Sequence, residues 1–387
     1  MRSSTKRYAN IFIVALTFSV WVYVSFSHRS RRKRVQFIPN NFKDLSLQRE
    51  IFTELGYKET TDTYSADFIY LADMSYSDRL SEIKINATIN YLPGISILST
   101  RRNLYEEFLN IDETENNPNI PANLGQFMPE TYYLPKDRNR FLYDKDQSLP
   151  DQFWALKMLK DHSILAITNK DKYFDKFVST KNTYIQQLIH PPLLIENRKL
   201  EASVFVIIKT APVFEEGVTS STSKTGLPKK VKLEHAIYPR DWLFYFSNER
   251  YASNNDQSSI ADIINTDKKL FQSKSIAREK STHGNSEGPY LTKALVNEKY
   301  FPETFSELES NVETIIHIVM SSLAELPENK GVLINYFQLL KFNFVFDENQ
   351  RPYLLDIEPA QLGKSHSGRH DLDQDILSWS LKELRLR

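Results

Sequence analysis

The spacing of apolar residues along the chain predicts a mixture of strands and helices. The runs DFIYLAD (67–73) and SVFVIIK (203–209) have the length and composition of strands. Residues 308–325 repeat apolar positions at helical spacing, and residues 341–362 predict two strands joined by the turn DENQ. The elements do not follow strict strand–helix–strand alternation, so the predicted fold class is α/β or α+β.

Further patterns place other elements and the loops between them. Residues 90–109 predict a Pro-Gly turn leading into an amphipathic helix, residues 237–246 predict another strand, and a short helix is predicted near the C-terminus. Polar segments separate these patterns at 112–125, 215–232 and 251–288. The first of them predicts a boundary between lobes. The predicted divisions are residues 1–35, 36–125 and 126–387.

An uncharged apolar run lies near the N-terminus at residues 11–24 and, with small polar interruptions, reaches Ser27. Its length is about the minimum for a membrane span, and the basic segment HRSRRKR follows directly. This abrupt stop favours an uncleaved signal anchor over a cleaved signal peptide. The basic residues are more numerous on its C-terminal side, which predicts a single-pass membrane protein with a cytosolic body. A lumenal body, in which the sequon at Asn86 would be used, is the alternative.

The composition of the chain excludes several kinds of partner and site. Lys and Arg together equal Asp and Glu at 49 each, so the net charge indicates no nucleic-acid partner. The chain has no cysteine, which excludes disulfides, thiolate catalysis and cysteine-bound zinc. Only 10 glycines occur in 387 residues, against a usual share of about 7%. A glycine-rich phosphate loop is therefore not expected.

The C-terminal hairpin, KFNFVF-DENQ-RPYLLDIE, contains the most informative polar pattern. Its turn pairs Phe346 with Tyr353 and, in the same register, Asn343 with Asp356. Period-two alternation puts Asp356 and Glu358 on one face, so an amide and two carboxylates converge. Their like charges need a cation, a proton or an arginine nearby. The pattern indicates either a Mg²⁺ site, since hard oxygen ligands suit that ion, or an exposed acidic sheet face.

Five segments, in this order, are similar to segments of the tubulin–tyrosine ligase-like family. They are ADFIYLAD, INYLPGISILSTRRNL, FMPETYYLP, YIQQLIHPPLLIENRKLEASVFVII and NFVFDENQRPYLLDIEPAQL. The resemblance runs from about residue 65 to 365. It implies an ATP-grasp fold with an N-terminal lobe, ATP and Mg²⁺ as cofactors, and tubulin or microtubules as partners.

The resemblance also implies a chemistry and a site. In the family, ATP phosphorylates a carboxylate, and an amino group then attacks the acylphosphate to form an amide. The residues that match nucleotide-binding positions of the family are Lys157, Gln186, Gln187, Leu188, Ile189, Lys199, Glu201 and Thr292. Those that match its metal-binding positions are Asn343, Asp356 and Glu358. Within this trio the amide and one acid have exchanged places relative to the family pattern, and no catalytic residue is assigned.

The phosphate side of the site, meaning the residues at the family's phosphate-binding positions, departs from the family pattern. Residues 163–166 stand where the family has a loop of glycines and arginines, and Ser203 and Tyr245 stand where it has arginines. Each lost charge-assisted contact removes about 2–4 kcal/mol of transition-state stabilisation unless another cation replaces it. Three residues are candidates for that replacement: Lys160, His162 and Lys293.

These features leave three hypotheses for the function. The first is a divergent ligase that uses ATP to add an amino acid, glutamate in the first place, to tubulin or another protein. The second is a catalytically weak or inactive pseudoenzyme, a membrane-tethered module that binds nucleotide or protein. The third is a lumenal modifier of a protein other than tubulin.

Overall fold

The computed structural model describes the residues 33–39, 45–72, 87–92, 127–146, 152–159, 164–168, 182–213, 230–240, 242–246, 290–325, 335–360, 362 and 370–384. The chain divides into two compact units, residues 1–89 and 90–387. The division into lobes at residues 35 and 125 stays a prediction. No helix in the described ranges is long and apolar enough to cross a membrane, and the predicted anchor at residues 11–27 lies outside them.

The first unit is built on a small parallel sheet. Its elements are β1 (Arg34–Ile38), α1 (Ser46–Glu54), β2 (Lys58–Glu59), a 3-10 turn (Thr63–Ser65), β3 (Phe68–Leu71) and β4 (Thr88–Ile89). The strands are parallel in the order β4-β3-β1-β2. α1 connects β1 to β2 and buries Leu47, Gln48, Ile51 and Phe52. The apolar members of this set recur at helical spacing, so α1 turns one face to the sheet.

Gly56 ends α1 in a left-handed conformation, with φ of +80°. Its N–H donates to the carbonyl of Thr53 at 2.8 Å, and the N–H of Tyr57 donates to the carbonyl of Phe52 at 2.9 Å. The rings of Phe52 and Tyr57 also meet, with centroids 5.2 Å apart. This is the Schellman arrangement, which satisfies the last helix carbonyls and favours glycine at this position.

The second unit begins with an antiparallel sheet. Its elements are β5 (Thr131–Leu134), α2 (Arg138–Asp146), β6 (Trp154–Met158), β7 (Ile164–Thr168) and β8 (Thr183–Gln187). The strand order is β5-β8-β6-β7, with antiparallel pairing throughout. One face forms an apolar cluster of Tyr132, Leu134, Phe141, Trp154, Leu156 and Ile185.

A larger sheet follows, with the long strand β10 at its centre. The remaining elements are β9 (Leu194–Ile195), β10 (Arg198–Val213), β11 (Lys230–Ile237), β12 (Leu243–Phe246), β13 (Tyr290–Thr292), α3 (Lys293–Tyr300), α4 (Phe305–Glu325), β14 (Asn335–Phe346), β15 (Pro352–Pro359) and α5 (His370–Glu383). β14 pairs along one edge of β10, and β12 and β11 pair along the other. β13 extends the sheet beyond β12, β15 extends it beyond β14, and β9 forms a hairpin with β10.

Helices cover this sheet from two sides. Phe305 of α4 packs against Trp242 and Phe244, with ring centroids 5.8 and 6.3 Å apart. The buried residues of α4 recur every three or four positions: Phe305, Leu308, Val312, Ile315, Ile316, Val319 and Met320. α5 contacts β10 on the other face, where Lys209 Nζ donates to the carbonyl of Glu383 at 2.9 Å.

The structure confirms the mixed α/β class and the large sheet, an architecture consistent with an ATP-grasp-like fold. It also confirms the strands at 67–73 and 203–209, the helix at 308–325 and the terminal hairpin and helix. The strand predicted at 237–246 is interrupted, because β11 ends at Ile237 and β12 begins at Leu243. Residues 93–126, 214–229 and 247–289, with the helix and the three polar segments predicted there, lie largely or wholly outside the described ranges.

Candidate functional site

One face of the β5–β8–β6 sheet carries a buried polar network. The registers place Lys157 of β6, Gln186 of β8 and Thr131 of β5 on the same face. Lys157 Nζ donates a hydrogen bond to Gln186 Oε1 at 2.8 Å, and Gln186 Nε2 donates to Thr131 Oγ1 at 3.1 Å. All three side chains are buried. The ammonium group of Lys157 therefore has a neutral acceptor whose orientation is fixed by the next strand.

The opposite face of the same strands is apolar, and strand alternation separates the two. Trp154 of β6 packs there on Phe141 of α2, with ring centroids 5.3 Å apart. Gln187 pairs with Trp154 and so belongs to this second face. Leu188 and Ile189 follow β8 and are half-buried. Adjacent predicted site residues thus have different surroundings, and only Gln186 belongs to the Lys157 network.

Three residues at predicted site positions, or next to them in the family pattern, alternate along β10. Lys199, Glu201 and Ser203 are spaced by two, so they lie on one face of the larger sheet. The turn of the β9–β10 hairpin directly precedes β10 and so fixes where this strand begins. Its turn residues Glu196 and Asn197 have φ of 52° and 61°, which is the conformation of a two-residue hairpin turn. Lys199 and Ser203 are buried, and Glu201 is half-buried.

Residues of β12 and β13 pair with these β10 positions across the sheet and extend them into a row. Tyr245 pairs with Glu201, and Leu243 pairs with Ser203. Thr292 pairs in turn with Leu243. The sheet register therefore brings the predicted positions on β10 and β13 into one row of neighbouring strands, although they are far apart in the sequence.

β14 and β15 complete this face with the acids of the hairpin. Asn343 pairs with Ser203 on one side and with Asp356 on the other. Ser203 Oγ donates to Asn343 Oδ1 at 2.6 Å. Asn343 Nδ2 donates to Asp356 Oδ1 and, at 3.1 Å, to Glu358 Oε1. The predicted convergence of an amide and two carboxylates is confirmed.

A β-bulge makes this convergence possible. Near the turn the predicted register is wrong by one residue, because Phe346 pairs with Pro352 and not with Tyr353. The register then shifts next to Asn343, where Leu355 is the additional residue of β15. A one-residue shift exchanges the two faces of a strand. Without the bulge, both acids would point away from the amide.

Lys341 also belongs to this cluster, and the sequence reasoning missed it. It lies two residues before Asn343 on β14 and opposite Glu358, with its Nζ 2.5 Å from Glu358 Oε1. Burial disfavours its charge, but the attraction of Glu358 and of Asp356 outweighs burial, so the pKa of Lys341 is raised above its ordinary value. Period-two spacing from Asn343 was the signal that could have found it.

The cluster has the oxygen donors that Mg²⁺ prefers, but its contacts do not present them to an ion. The atom of Asn343 that faces both carboxylates is the amide nitrogen, and Glu358 pairs with the ammonium of Lys341. In the described ranges, no three acidic or histidine residues are grouped to hold a metal ion. This arrangement does not fit Mg²⁺ as it stands, and a metal at Asn343, Asp356 and Glu358 stays a prediction.

The phosphate side has uncharged residues where the family has arginines, namely Ser203 and Tyr245. Residues 164–166, at the position of the phosphate loop, belong to β7. Lys293 pairs with Glu309 of α4 and lies 5.7 Å from the ring centroid of Trp242, so its charge is directed into the helix layer. The other two residues predicted to replace the missing arginines lie outside the described ranges: Lys160 and His162.

Comparison with known proteins agrees with this architecture. The model of the tubulin-tyrosine ligase family matches residues 56–215, a range that includes the Lys157 network and the β10 row. "Probable tubulin polyglutamylase ttll-15" of Caenorhabditis elegans is 22% identical over 349 residues, which are 85% of this chain and 58% of the relative. Tubulin polyglutamylase TTLL7 of Homo sapiens is 21% identical over 369 residues, which are 88% of this chain and 37% of the relative.

The match of residues 56–215 and the two tubulin polyglutamylase relatives together support a tubulin–tyrosine ligase-like chain. The resemblance that the five sequence segments indicated is thereby confirmed. The chain spans 58% of the nematode relative and 37% of the human one.

Proposed function

We propose that this chain is a divergent ligase that joins an amino acid, glutamate in the first place, to a carboxylate of tubulin or of another protein. The reaction consumes ATP. A carboxylate oxygen of the acceptor attacks the terminal phosphorus and ADP leaves. The amino group of the incoming amino acid then forms the amide bond, and phosphate leaves. Two relatives named as tubulin polyglutamylases support the choice of glutamate and of tubulin.

The observation that carries this proposal is the contact between Lys157 and Gln186. Both stand at nucleotide-binding positions of the family, and the sheet brings them together from strands 29 residues apart. An ammonium group that a neighbouring strand holds in place is preorganised for a phosphate oxygen, because little side-chain freedom is lost on binding. This contact supports Lys157 and Gln186 as the nucleotide side of the proposed site.

The phosphate side supports a second candidate function, a pseudoenzyme that binds nucleotide or a protein partner without ligation. Ser203 is 1% exposed and hydrogen-bonded to Asn343, and its hydroxyl carries no charge to replace the arginine that the family has at this position. The charge of Lys293 is engaged with Glu309. Loss of two arginine contacts of about 2–4 kcal/mol each would slow the reaction by several orders of magnitude.

One experiment separates the two candidates. The full chain is titrated with Mg·ATP and then assayed for ATP-dependent incorporation of labelled glutamate into tubulin. The ligase binds ATP and incorporates glutamate, and Lys157→Met lowers incorporation by about 30-fold or more, as expected for one lost phosphate contact. Lys299→Met, which removes an exposed lysine paired with Glu196, is the matched control.

The outcomes point in different directions. No ATP binding at millimolar concentration would contradict the ligase and leave a protein-binding module. Binding without incorporation into any acceptor would support the pseudoenzyme. Incorporation that is lost in Asp356→Ala would exclude the pseudoenzyme.

We also propose that residues 11–27 anchor the chain in a membrane, with the body in the cytosol. The support is the apolar run and the basic segment that follows it. The third candidate, a lumenal modifier of another protein, needs the opposite orientation. Glycosylation of Asn86 in cells would place the body in the lumen and contradict tubulin as the acceptor. Absence of glycan at Asn86, together with one at a sequon added before residue 11, would support the cytosolic body.

A further inference from the structure

We propose that Lys341 and Asn343 neutralise the carboxylates of Asp356 and Glu358 in place of a divalent metal ion. This inference rests on the resemblance of the hairpin sequence to the family's metal-binding segment, and not on whether the chain ligates. It assigns to Lys341 a role that the family pattern does not contain. The charges of the cluster are then balanced by the chain's own side chains, and the cluster is not a vacant metal site.

The first argument is the direction of the amide. Asn343 Nδ2 donates to both carboxylates, while Asn343 Oδ1 accepts the hydroxyl proton of Ser203 at 2.6 Å. Turning the amide over would bring its oxygen against two carboxylates and break the bond from Ser203. The hydrogen-bond network therefore holds the only amide oxygen of the cluster away from the place where a metal ion would need it.

The second argument is charge. Lys341 Nζ lies 2.5 Å from Glu358 Oε1, so a protein cation already occupies one side of the carboxylate pair. A divalent ion on the same carboxylates would meet the repulsion of this ammonium group at short range. The side chain of Lys341 is 27% exposed, which limits its freedom to turn out into solvent and leave Glu358 to a metal.

The third argument is that the sheet fixes these partners. Lys341 and Asn343 are opposite Glu358 and Asp356 in adjacent strands, and Asn343 is opposite Ser203 on its other side. The bulge at Leu355 keeps both acids on this face. The contacts therefore come from backbone register and not from the chance meeting of long surface side chains.

Mn²⁺ is the probe that tests this inference, because it prefers the same oxygen ligands as Mg²⁺ and its free form is measured by electron paramagnetic resonance. The full chain is titrated without nucleotide or amino acid. Wild type and Asp356→Asn are expected to bind Mn²⁺ equally. Combining Lys341→Met with Asn343→Asp removes the internal cation and supplies a third carboxylate. This double variant is expected to gain one Mn²⁺ per chain, bound at least tenfold tighter than by wild type.

Matched controls make the same chemical changes elsewhere. Lys299→Met removes a lysine from another ion pair, and Asn335→Asp adds an acid at the exposed start of β14. Combined, they should leave Mn²⁺ binding at the wild-type level. Adding Asp356→Asn to the gaining variant should abolish the gain, which locates the new site in the cluster.

Two results would overturn the inference. One is a Mn²⁺ ion bound to wild type and lost in Asp356→Asn. The other is a double variant that melts like wild type and gains no Mn²⁺. If the double variant does not fold, Lys341→Met alone decides, with at least threefold tighter Mn²⁺ binding expected and no change contradicting the inference. Because the assay contains neither ATP nor acceptor, a failure of ligation does not affect its result.

Discussion

Replacing Gln186 by leucine perturbs the buried network of the antiparallel sheet. The side chain of Gln186 is 3% exposed and joins Lys157 to Thr131. Leucine has a similar size but neither accepts from the ammonium group nor donates to the hydroxyl. A hydrogen bond from a charged group contributes about 1.5–3 kcal/mol, and a neutral one about 0.5–1.5 kcal/mol. We expect the free energy of unfolding to fall by about 2–4 kcal/mol.

Urea unfolding of the full chain, followed by tryptophan fluorescence, measures this loss. Gln187→Leu is the matched control, because Gln187 lies on the opposite face beside Trp154 and is half-buried. Its effect should stay within about 0.5 kcal/mol. Combining Gln186→Leu with Lys157→Met should cost less than the sum of the two single changes, since they remove the same contact. Equal effects of the two leucine variants, or strict additivity with Lys157→Met, would refute the reasoning.

Three further predictions concern other parts of the chain. Ser203→Ala leaves the buried Oδ1 of Asn343 without its hydroxyl donor and should cost about 1–3 kcal/mol by urea unfolding; no change would contradict the bond. Burial and the neighbouring His317 lower the pKa of His235 to about 4, so proton uptake by His235 favours the unfolded chain as pH falls from about 6.5 to 4. His235→Phe should therefore weaken the acid dependence of the melting temperature in that window. An unaltered dependence would exclude His235 as its cause. Gly56→Ala places a side chain at φ of +80° and should cost about 1 kcal/mol through backbone strain alone, since a Cβ there meets no atom within 4 Å; an unchanged unfolding midpoint would argue against that conformation.

Local periodicity was sufficient for the elements whose pattern is strong. Alternation along YLLDIEP put Asp356 and Glu358 on one face, and the spacing in 308–325 predicted α4. These patterns depend only on residues near one another in the chain. The same alternation would have identified Lys341, had it been extended along the first strand of the hairpin.

Contacts that depend on long-range register could not be predicted in this way. Lys157 meets Gln186 only because β8 lies between β5 and β6, an order that no local pattern indicates. The bulge at Leu355 leaves no mark in the sequence, since an additional leucine is ordinary in an apolar strand. Lys293 was a candidate phosphate ligand by its sequence position, but α4 supplies its partner.

Incorporation of labelled glutamate into tubulin by the full chain, with and without ATP, tests the central claim most directly. The account predicts incorporation that requires ATP, is reduced about 30-fold or more by Lys157→Met, and is unchanged by Lys299→Met. A wild-type chain that binds ATP yet incorporates no glutamate would contradict the claim. So would incorporation to which Lys157 makes no difference.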